Sequence, residues 1–450
     1  MSFSATLSQL VEVLSAQPVN LSQVALTQLA LAMSTDTRIL KPGEVFLALR
    51  GEKFDGHKFV SMAIASGAIA AIVDFEYEDS QFPILQVKDT LEAYQKIASW
   101  WLLSLNIPVI GVTGSVGKTT TKELIAAVLG TQGRVHKTYG NYNNEIGVPK
   151  TLLELGSEHD YAVIEMAMRG QGQIAELTQI AHPTIGVITN VGTAHIELLN
   201  STEAIAEAKC ELLAHMPTNS VAVLNHDDPL LMATAKKFWQ GETLTYGLSG
   251  GDVQGLLLDY QTVKVGGIQL PLPLPGRHNA INYMAAMAVA KVLGIDWSSF
   301  QAGVTVDMPS GRSQRFNLPH DVVILDETYN AAPEAMLAAL QLLADTPGKR
   351  KIAVLGAMKE LGERSQQLHS SVGEMVRKLN LDGLLVLVDC EDAQEYAMSA
   401  VGIPCECFAT HADLVARLQE FVIEGDRLLF KAAHSVGLDR VVNQFRADFS

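Results

Sequence analysis

The sequence predicts an α/β protein built from three successive blocks, and three observations carry that reading. Short β-branched runs alternate with helical stretches along most of the chain: "PVIGVTG", "YAVIEM", "TIGVITN", "SVAVLN", "VVILDE", "KIAVLGAM", "GLLVLV" and "RLLFKAA". Near-continuous apolar strands separated by helices indicate parallel sheets covered on both faces. The length, 450 residues, exceeds what one hydrophobic core supports, and a composition of 48% hydrophobic and 18% charged residues provides core material for several domains. Finally, the glycine-rich turn "GVTGSVGKTT" joins one of the strands to a helix and has the chemistry of a phosphate-binding loop.

The first block, 1–105, closes at "WWLLSLNIP", where a helical pattern stops before Pro108. Inside it, "MSTDTRILKPGEVFLALRGEKFDGHKFV" reads on its own as a polar surface hairpin. The second block, 106–309, opens on the loop-bearing strand and contains "GGDVQGLLLDYQTVKVGGIQLPLPLPG", an antiparallel excursion that closes on a proline-rich turn. The Pro-Ser-Gly cluster of "DMPSGRSQRF" separates it from the third block, 310–450, where a new set of strands begins.

Composition narrows the function. Lys and Arg total 33 against 49 Asp and Glu, a formal charge of −16, so no basic surface is evident for counterion-driven nucleic-acid binding. A small anionic ligand remains compatible, because helix N-termini attract phosphate on an acidic protein too. The four cysteines form no C-x-x-C pair, which points to reduced thiols. Arg38 is the first basic residue, so no secretory n-region is evident, and "WWLLSLNIPVIGV" is too short for a membrane span. A cytoplasmic protein without membrane insertion, and a monomer, is the expectation.

In the loop itself the strand ends at Thr113 and the helix begins near Lys118. Backbone N–H groups and the helix dipole then converge on phosphate oxygens, with Lys118 as counter-charge and Thr119 placed to reach a metal ion. The familiar spacing rule fails, because Val112 stands where a glycine is usual five positions before Gly117. A variant loop accounts for this better than a plain glycine turn does.

Other candidates lie at strand ends, where ligands bind in open α/β sheets. Glu165 closes "YAVIEM", and Asn190 and His195 follow "TIGVITN". Together with a triphosphate, a carboxylate and an imidazole can hold magnesium, although each alone reads as a solvated acid and a loop histidine. Lys209, in the helical pattern "EAIAEAKCELLAHM", reads unaided as a solvated-face residue. Asn279 and Asn282 open an alanine-rich helix, where one can cap it and the pair can read a base edge.

Taken in order, "TGSVGKTTTKE", the glutamate of "IEMAMRG", "ITNVGTAHIE", the lysine of "EAKCELL", "PGRHNAIN" and "LDETYNAAP" resemble the Mur ligase family of ATP-dependent amide-forming enzymes across nearly the whole chain. Loops of that family run Thr-Gly-Ser/Thr-x-Gly-Lys-Thr/Ser, which accounts for Val112. The resemblance implies a central ATPase-type domain with a mostly parallel sheet, a Rossmann-like C-terminal domain and a smaller N-terminal α/β domain that binds a UDP substrate. It implies that Thr113, Gly114, Ser115, Val116, Gly117, Lys118 and Thr119 hold the ATP phosphates. Thr119, Glu165 and His195 would hold Mg2+, and Lys209, often a carbamate in this family, would help hold a second ion. Lys118, His195 and Lys209 would thus form the catalytic set. Asn279 and Asn282 would face adenine, and Arg312 and Asp326 would close over the nucleotide from the third block.

Two segments resemble the branch of the family that adds D-alanyl-D-alanine to a UDP-N-acetylmuramoyl tripeptide: "DETYNAAP" and "AVLGAMKELGERS". Ala332 replaces an asparagine of that signature, and Ala167 stands where glycine is usual. By the same resemblance Tyr329 and Asn330 would meet the dipeptide, and Ser34, Thr35, Asp36, Arg38 and His57 would contact the UDP moiety. An amide ligase with ATP and Mg2+ is therefore the expected activity. A related glutamate-adding synthetase, a nucleotide-binding scaffold without chemistry and a simple kinase are the rivals.

Overall fold

The computed structural model describes residues 3–51, 54–194 and 196–449. Three large sheets follow one another along the chain, beside a two-stranded antiparallel pair, Ala5–Thr6 with Leu29–Ala30. The first has five strands in the order Gln17–Val19, Ile84–Val87, Ala70–Asp74, Val45–Leu47, Met33–Ser34, all parallel except the first pair. The third has six, from the antiparallel edge strand Gln314–Leu318 through Val322–Glu327, Asp426–Lys431, Arg350–Gly356 and Gly383–Leu387 to Cys405–Phe408.

The nine-stranded central sheet positions the site. Strand Val109–Thr113 lies between Tyr161–Glu165 and Ile185–Ile188, parallel to both, with Glu165 opposite Val112 and Ile188 opposite Thr113. The chain winds from it to one side through Tyr161–Glu165 and Val135–Lys137, then to the other through Ile185–Ile188, Val221–Asn225 and Glu242–Gly247. Winding therefore reverses at Val109–Thr113, and the crevice beyond its carboxyl end is where open α/β sheets bind ligands. The predicted excursion is present: Val253–Asp259, Thr262–Val265 and Ile268–Pro271 pair antiparallel at the far edge.

Apolar side chains cover both faces of this sheet. On one face the phosphate-loop helix, Lys118–Leu129, packs with the alanine-rich helix Arg277–Val292 around Ile110, Val112, Leu124, Tyr283 and Met287. Small residues at 285, 286, 288 and 290 let the two helices approach closely. The opposite core is shared with the first block: helix Thr90–Leu105 buries Trp101, whose Nε1–H donates to Leu155 O at 2.9 Å, while Phe3 meets its ring edge-on. Asp89 caps this helix by accepting from the N–H groups of Leu91 and Glu92, and Asn106 ends it in the left-handed region, just before Pro108. The third block has a core of its own. Among the described residues no helix is long and apolar enough to cross a membrane.

Candidate active site

Strand Val109–Thr113 is buried throughout, and four residues, Gly114 to Gly117, separate it from the helix that starts at Lys118. Val112 thus belongs to the strand, not to the loop. Two glycines are required by space. A Cβ on Gly114, where φ is 151°, would lie 1.8 Å from Thr189 Oγ1, and one on Gly117, at φ 80°, would lie 2.8 Å from Asn282 Oδ1. Gly117 is also the N-cap of the helix and offers no side-chain cap, so the first-turn N–H groups remain available to an anion.

The segment 189–193, which follows strand Ile185–Ile188, holds the loop from behind. Asn190 accepts from Val116 N–H through Oδ1 and donates to Val116 O through Nδ2, both at 3.0 Å. Asn190 O accepts from Ser115 N–H at 3.0 Å, and Thr189 Oγ1 donates to Val116 O at 2.7 Å. Gly192 N–H donates to Ser115 Oγ at 2.8 Å, and Asp228 accepts from Val191 N–H at 2.6 Å. The amides of Ser115 and Val116 are therefore engaged within the protein, and Thr113 Oγ1 is bonded to Met166 O at 2.9 Å. These bonds of Thr113, Ser115 and Val116 set the loop's shape, and the uncapped first turn of the helix follows it. Lys118 Nζ reaches back to the carbonyls of Gly114 and Ser115 at 2.8 and 3.2 Å. Burial lowers its pKa below the ordinary 10.5; Glu165 opposes that shift and the positive charge of Arg312 adds to it.

Glu165 is not a solvated acid: it is 1% exposed. Its Oε2 accepts from Thr119 Oγ1 and its Oε1 from Asn143 Nδ2, both at 2.8 Å, while its own N–H donates to Thr138 Oγ1. Lys122 Nζ, fully buried, sits 3.9 Å from Glu165 Oε2, 2.9 Å from Glu123 Oε1 and 2.6 Å from Thr138 O. Hydroxyl and carboxylate oxygens next to a phosphate loop suit magnesium, which takes few protein ligands and completes its octahedron with phosphate and water. His195 lies outside the described residues.

Lys209 corrects the reading of its helix. It is 1% exposed on Thr202–His215, and among the described residues no carboxylate lies within ion-pairing distance. Desolvation, reinforced by the charge of Lys118, holds its pKa well below 10.5, which favours a neutral, nucleophilic amine. Asn279 and Asn282 are both buried. Asn279 donates to Pro275 O at 2.9 Å, while its Oδ1 is buried with no partner among the described residues, an acceptor that a base amino group suits.

The third block contributes from the carboxyl ends of its strands. The Arg312 guanidinium stacks 3.7 Å over the Tyr329 ring, which stacks in turn on His434. Asp326, 4% exposed, accepts from Thr328 N–H and Oγ1, yet burial still raises its pKa above 3.8. Asn330 Oδ1 accepts from Ala331 N–H, and Lys431 Nζ donates to Asn330 O at 3.0 Å, tying down the 326–331 turn. Ala332 is the N-cap of helix Pro333–Asp345, which consequently has no side-chain cap.

In the first block Arg38 pairs bidentately with Asp36, holding that carboxyl near a pKa of about 2, and Ser34 Oγ is engaged with the Asp36 backbone. Thr35 sits half-buried between them. His57 is engaged at both ring nitrogens. Its Nε2 accepts from Asp74 N–H at 3.1 Å, so Nδ1 carries the proton and donates to Asp55 at 2.8 Å. With both nitrogens occupied, it shapes the 55–59 turn.

Sequence reasoning missed Lys122, Asn143, Lys431 and Glu334. Lys122 had a signal, since it lies three residues after Thr119 and so on the same helix face. Lys431 had another, as a charge directly after the apolar run 428–430 of its strand. Asn143 lies in "GNYNNEIG", a stretch whose chemistry suits a turn as well as a ligand contact, and Glu334 had no signal.

Comparison with known proteins agrees with this geometry. Three family profiles match in order: Mur ligase family, catalytic domain at 32–100, Mur ligase middle domain at 112–290, and Mur ligase, glutamate ligase domain at 311–434. A UDP-N-acetylmuramoyl-tripeptide--D-alanyl-D-alanine ligase of Synechocystis sp. is 58% identical over 92% of this chain and 91% of its own, and that of Escherichia coli is 35% identical over 98% of each. Among solved structures, MurF from Acinetobacter baumannii superposes with a TM-score of 0.89 at 30% identity, covering 99% of this chain and all of its own. MurF ligase from Thermotoga maritima, in complex with ADP, gives 0.84 at 32% identity, covering 93% and 97%.

Proposed function

The chain belongs to the Mur ligase family, and from that premise we propose that it uses ATP to join D-alanyl-D-alanine to UDP-N-acetylmuramoyl-tripeptide, giving the pentapeptide precursor of peptidoglycan, ADP and phosphate. The observation that carries the reading is the convergence, at the winding reversal of the central sheet, of the phosphate loop, the Thr119–Glu165 pair and buried Lys209, with Arg312 of the third block near enough to bear on Lys118.

The chemistry follows from the difficulty of the reaction. A carboxylate does not condense with an amine in water, so the tripeptide carboxylate first takes the γ-phosphoryl group and becomes an acyl phosphate. Lys118 and the uncapped amides at the start of its helix balance charge on the transferring group, in a site shielded from water. The amine of the dipeptide then attacks the acyl carbon, and the tetrahedral oxyanion collapses with release of phosphate. Thr119, Glu165 and His195 would hold Mg2+, which would supply further neutralisation of phosphate charge. The neutral state favoured for Lys209 is the one able to add carbon dioxide, and the resulting carbamate would give a second ion an oxygen ligand.

Residues 1–105, 106–309 and 310–450 serve as domains for the UDP substrate, for ATP and for the dipeptide. Exposed Arg38 with Ser34, Thr35 and Asp36 faces the uridine nucleotide, while His57 holds the adjoining turn. Asn279 and Asn282 meet adenine, and Arg312, Asp326, Tyr329 and Asn330 close over the nucleotide and dipeptide. The reading is tested by phosphate release from ATP with UDP-muramoyl tripeptide, with and without D-alanyl-D-alanine. Release that requires the dipeptide is expected, and release indifferent to it overturns the proposal.

A further inference from the structure

One side chain of the third block reaches the segment that supports the phosphate loop. Glu334 is the second residue of helix Pro333–Asp345, and its Oε1 accepts two hydrogen bonds from Thr193, from N–H at 2.7 Å and from Oγ1 at 2.9 Å. The approach is close: a Cβ on Gly192 would lie 2.8 Å from the Glu334 carboxyl carbon. Gly192 N–H donates in turn to Ser115 Oγ. A continuous path thus runs from a helix of the third block through Glu334, Thr193 and Gly192 to the phosphate loop.

The contact is lopsided. One carboxylate oxygen takes both bonds, while Oε2 is buried and, among the described residues, has no partner. Bonds to a charged acceptor favour the contact, and an unsatisfied buried oxygen opposes it. Such a balance suits a join that must form and part in every turnover. A carboxylate in the first turn of a helix is also favoured by the helix dipole.

We propose that Glu334 is a positioning residue that couples closure of the third block to the shape of the phosphate loop through Thr193, Gly192 and Ser115. The proposal rests on the ligase reading, because it gives closure a role in that reaction. Its primary readout needs no turnover: a fluorophore pair placed on the second and third blocks of the full chain, followed with ADP and magnesium. Glu334→Ala shifts the closed-to-open ratio toward open by about tenfold, the lower end for loss of a charge-assisted bond. In the ligase assay it raises the KM for D-alanyl-D-alanine by a similar factor and changes kcat less. Glu334→Gln keeps an acceptor oxygen and restores most of the closure. Thr193→Ala removes one of the two donors and gives a smaller shift, reading the same join from the other side should Glu334→Ala fold poorly. Unchanged closure in both Glu334→Ala and Thr193→Ala overturns the proposal, as does a Gln variant as open as the Ala one. A wild-type protein that closes on nucleotide but shows no dipeptide-dependent phosphate release counts against the ligase reading alone.

Discussion

Replacing Gly114 by alanine should cripple nucleotide binding through a collision that can be located to one atom. The added methyl would sit 1.8 Å from Thr189 Oγ1, 3.0 Å from Thr189 Cβ and 3.2 Å from Thr189 N, at a φ of 151° that side chains rarely adopt. Rotating the threonine removes only the first contact, because its Cβ and backbone remain in place beyond the end of strand Ile185–Ile188. Rotation also breaks the 2.7 Å bond to Val116 O, although Asn190 Nδ2 still serves that carbonyl. A lost hydrogen bond costs about 1 kcal/mol and an extra methyl in a filled space about 1–3 kcal/mol, roughly 2–4 kcal/mol together. That is roughly 30- to 1,000-fold if the loop moves aside and the whole penalty falls on ADP affinity. Calorimetric titration with ADP and urea unfolding together measure how the penalty divides. Thr189→Ala removes the nearest atom, so the double variant should be less impaired than the sum of the single ones. Wild-type affinity and stability in Gly114→Ala, or strict additivity in the cycle, would refute the reasoning.

Lys118→Ala should abolish phosphate release while leaving the circular dichroism spectrum unchanged, since among the described residues the Nζ hydrogen-bonds to carbonyls of its own loop. Glu165→Gln should weaken magnesium binding in the presence of ADP by about tenfold or more, read by titrating the metal, because a carboxamide brings no charge to a hard cation. Lys209→Met should end turnover yet raise the urea midpoint at neutral pH, because a desolvated amine is replaced by a side chain at ease in that setting. Asp326 should give a pH signature. Its folded pKa is raised above 3.8, so the folded state binds the extra proton and stability falls as pH rises from 3.8 through the raised value. Asp326→Asn keeps an acceptor for Thr328 and removes that decline; melting curves of both proteins between pH 3.5 and 7, a range of about four units around the carboxylate reference, should converge at the acid end and separate toward neutrality.

The α/β class, the order of the strands and the loop's turn from strand to helix were legible because they rest on local patterns: apolar runs, glycine spacing and a proline stop at Pro108. The candidate site was legible where a residue ends a strand, as Glu165 does, since strand ends face the crevice in any such sheet. Lys209 was misread without the family resemblance because a helix's polar residue is ordinarily solvated, and only the tertiary arrangement shows that this helix is covered on the lysine's side. The His57 motif was legible but the bonds of its ring were not, because the partner at Asp74 lies 17 residues away. Glu334 could not have been foreseen: its partner Thr193 is 141 residues distant, and no periodicity encodes a contact between separate sheets.

Asn190 grips Val116 by its N–H and its C=O at once, through atoms that do not distinguish valine from most other residues. This grip makes no demand on the side chain at 116 and commits its backbone strictly. The variable letter of the Thr-Gly-Ser-x-Gly-Lys-Thr motif is thus free in chemistry but not in posture. Most substitutions there should pass unnoticed, and proline alone, lacking the N–H, should be refused.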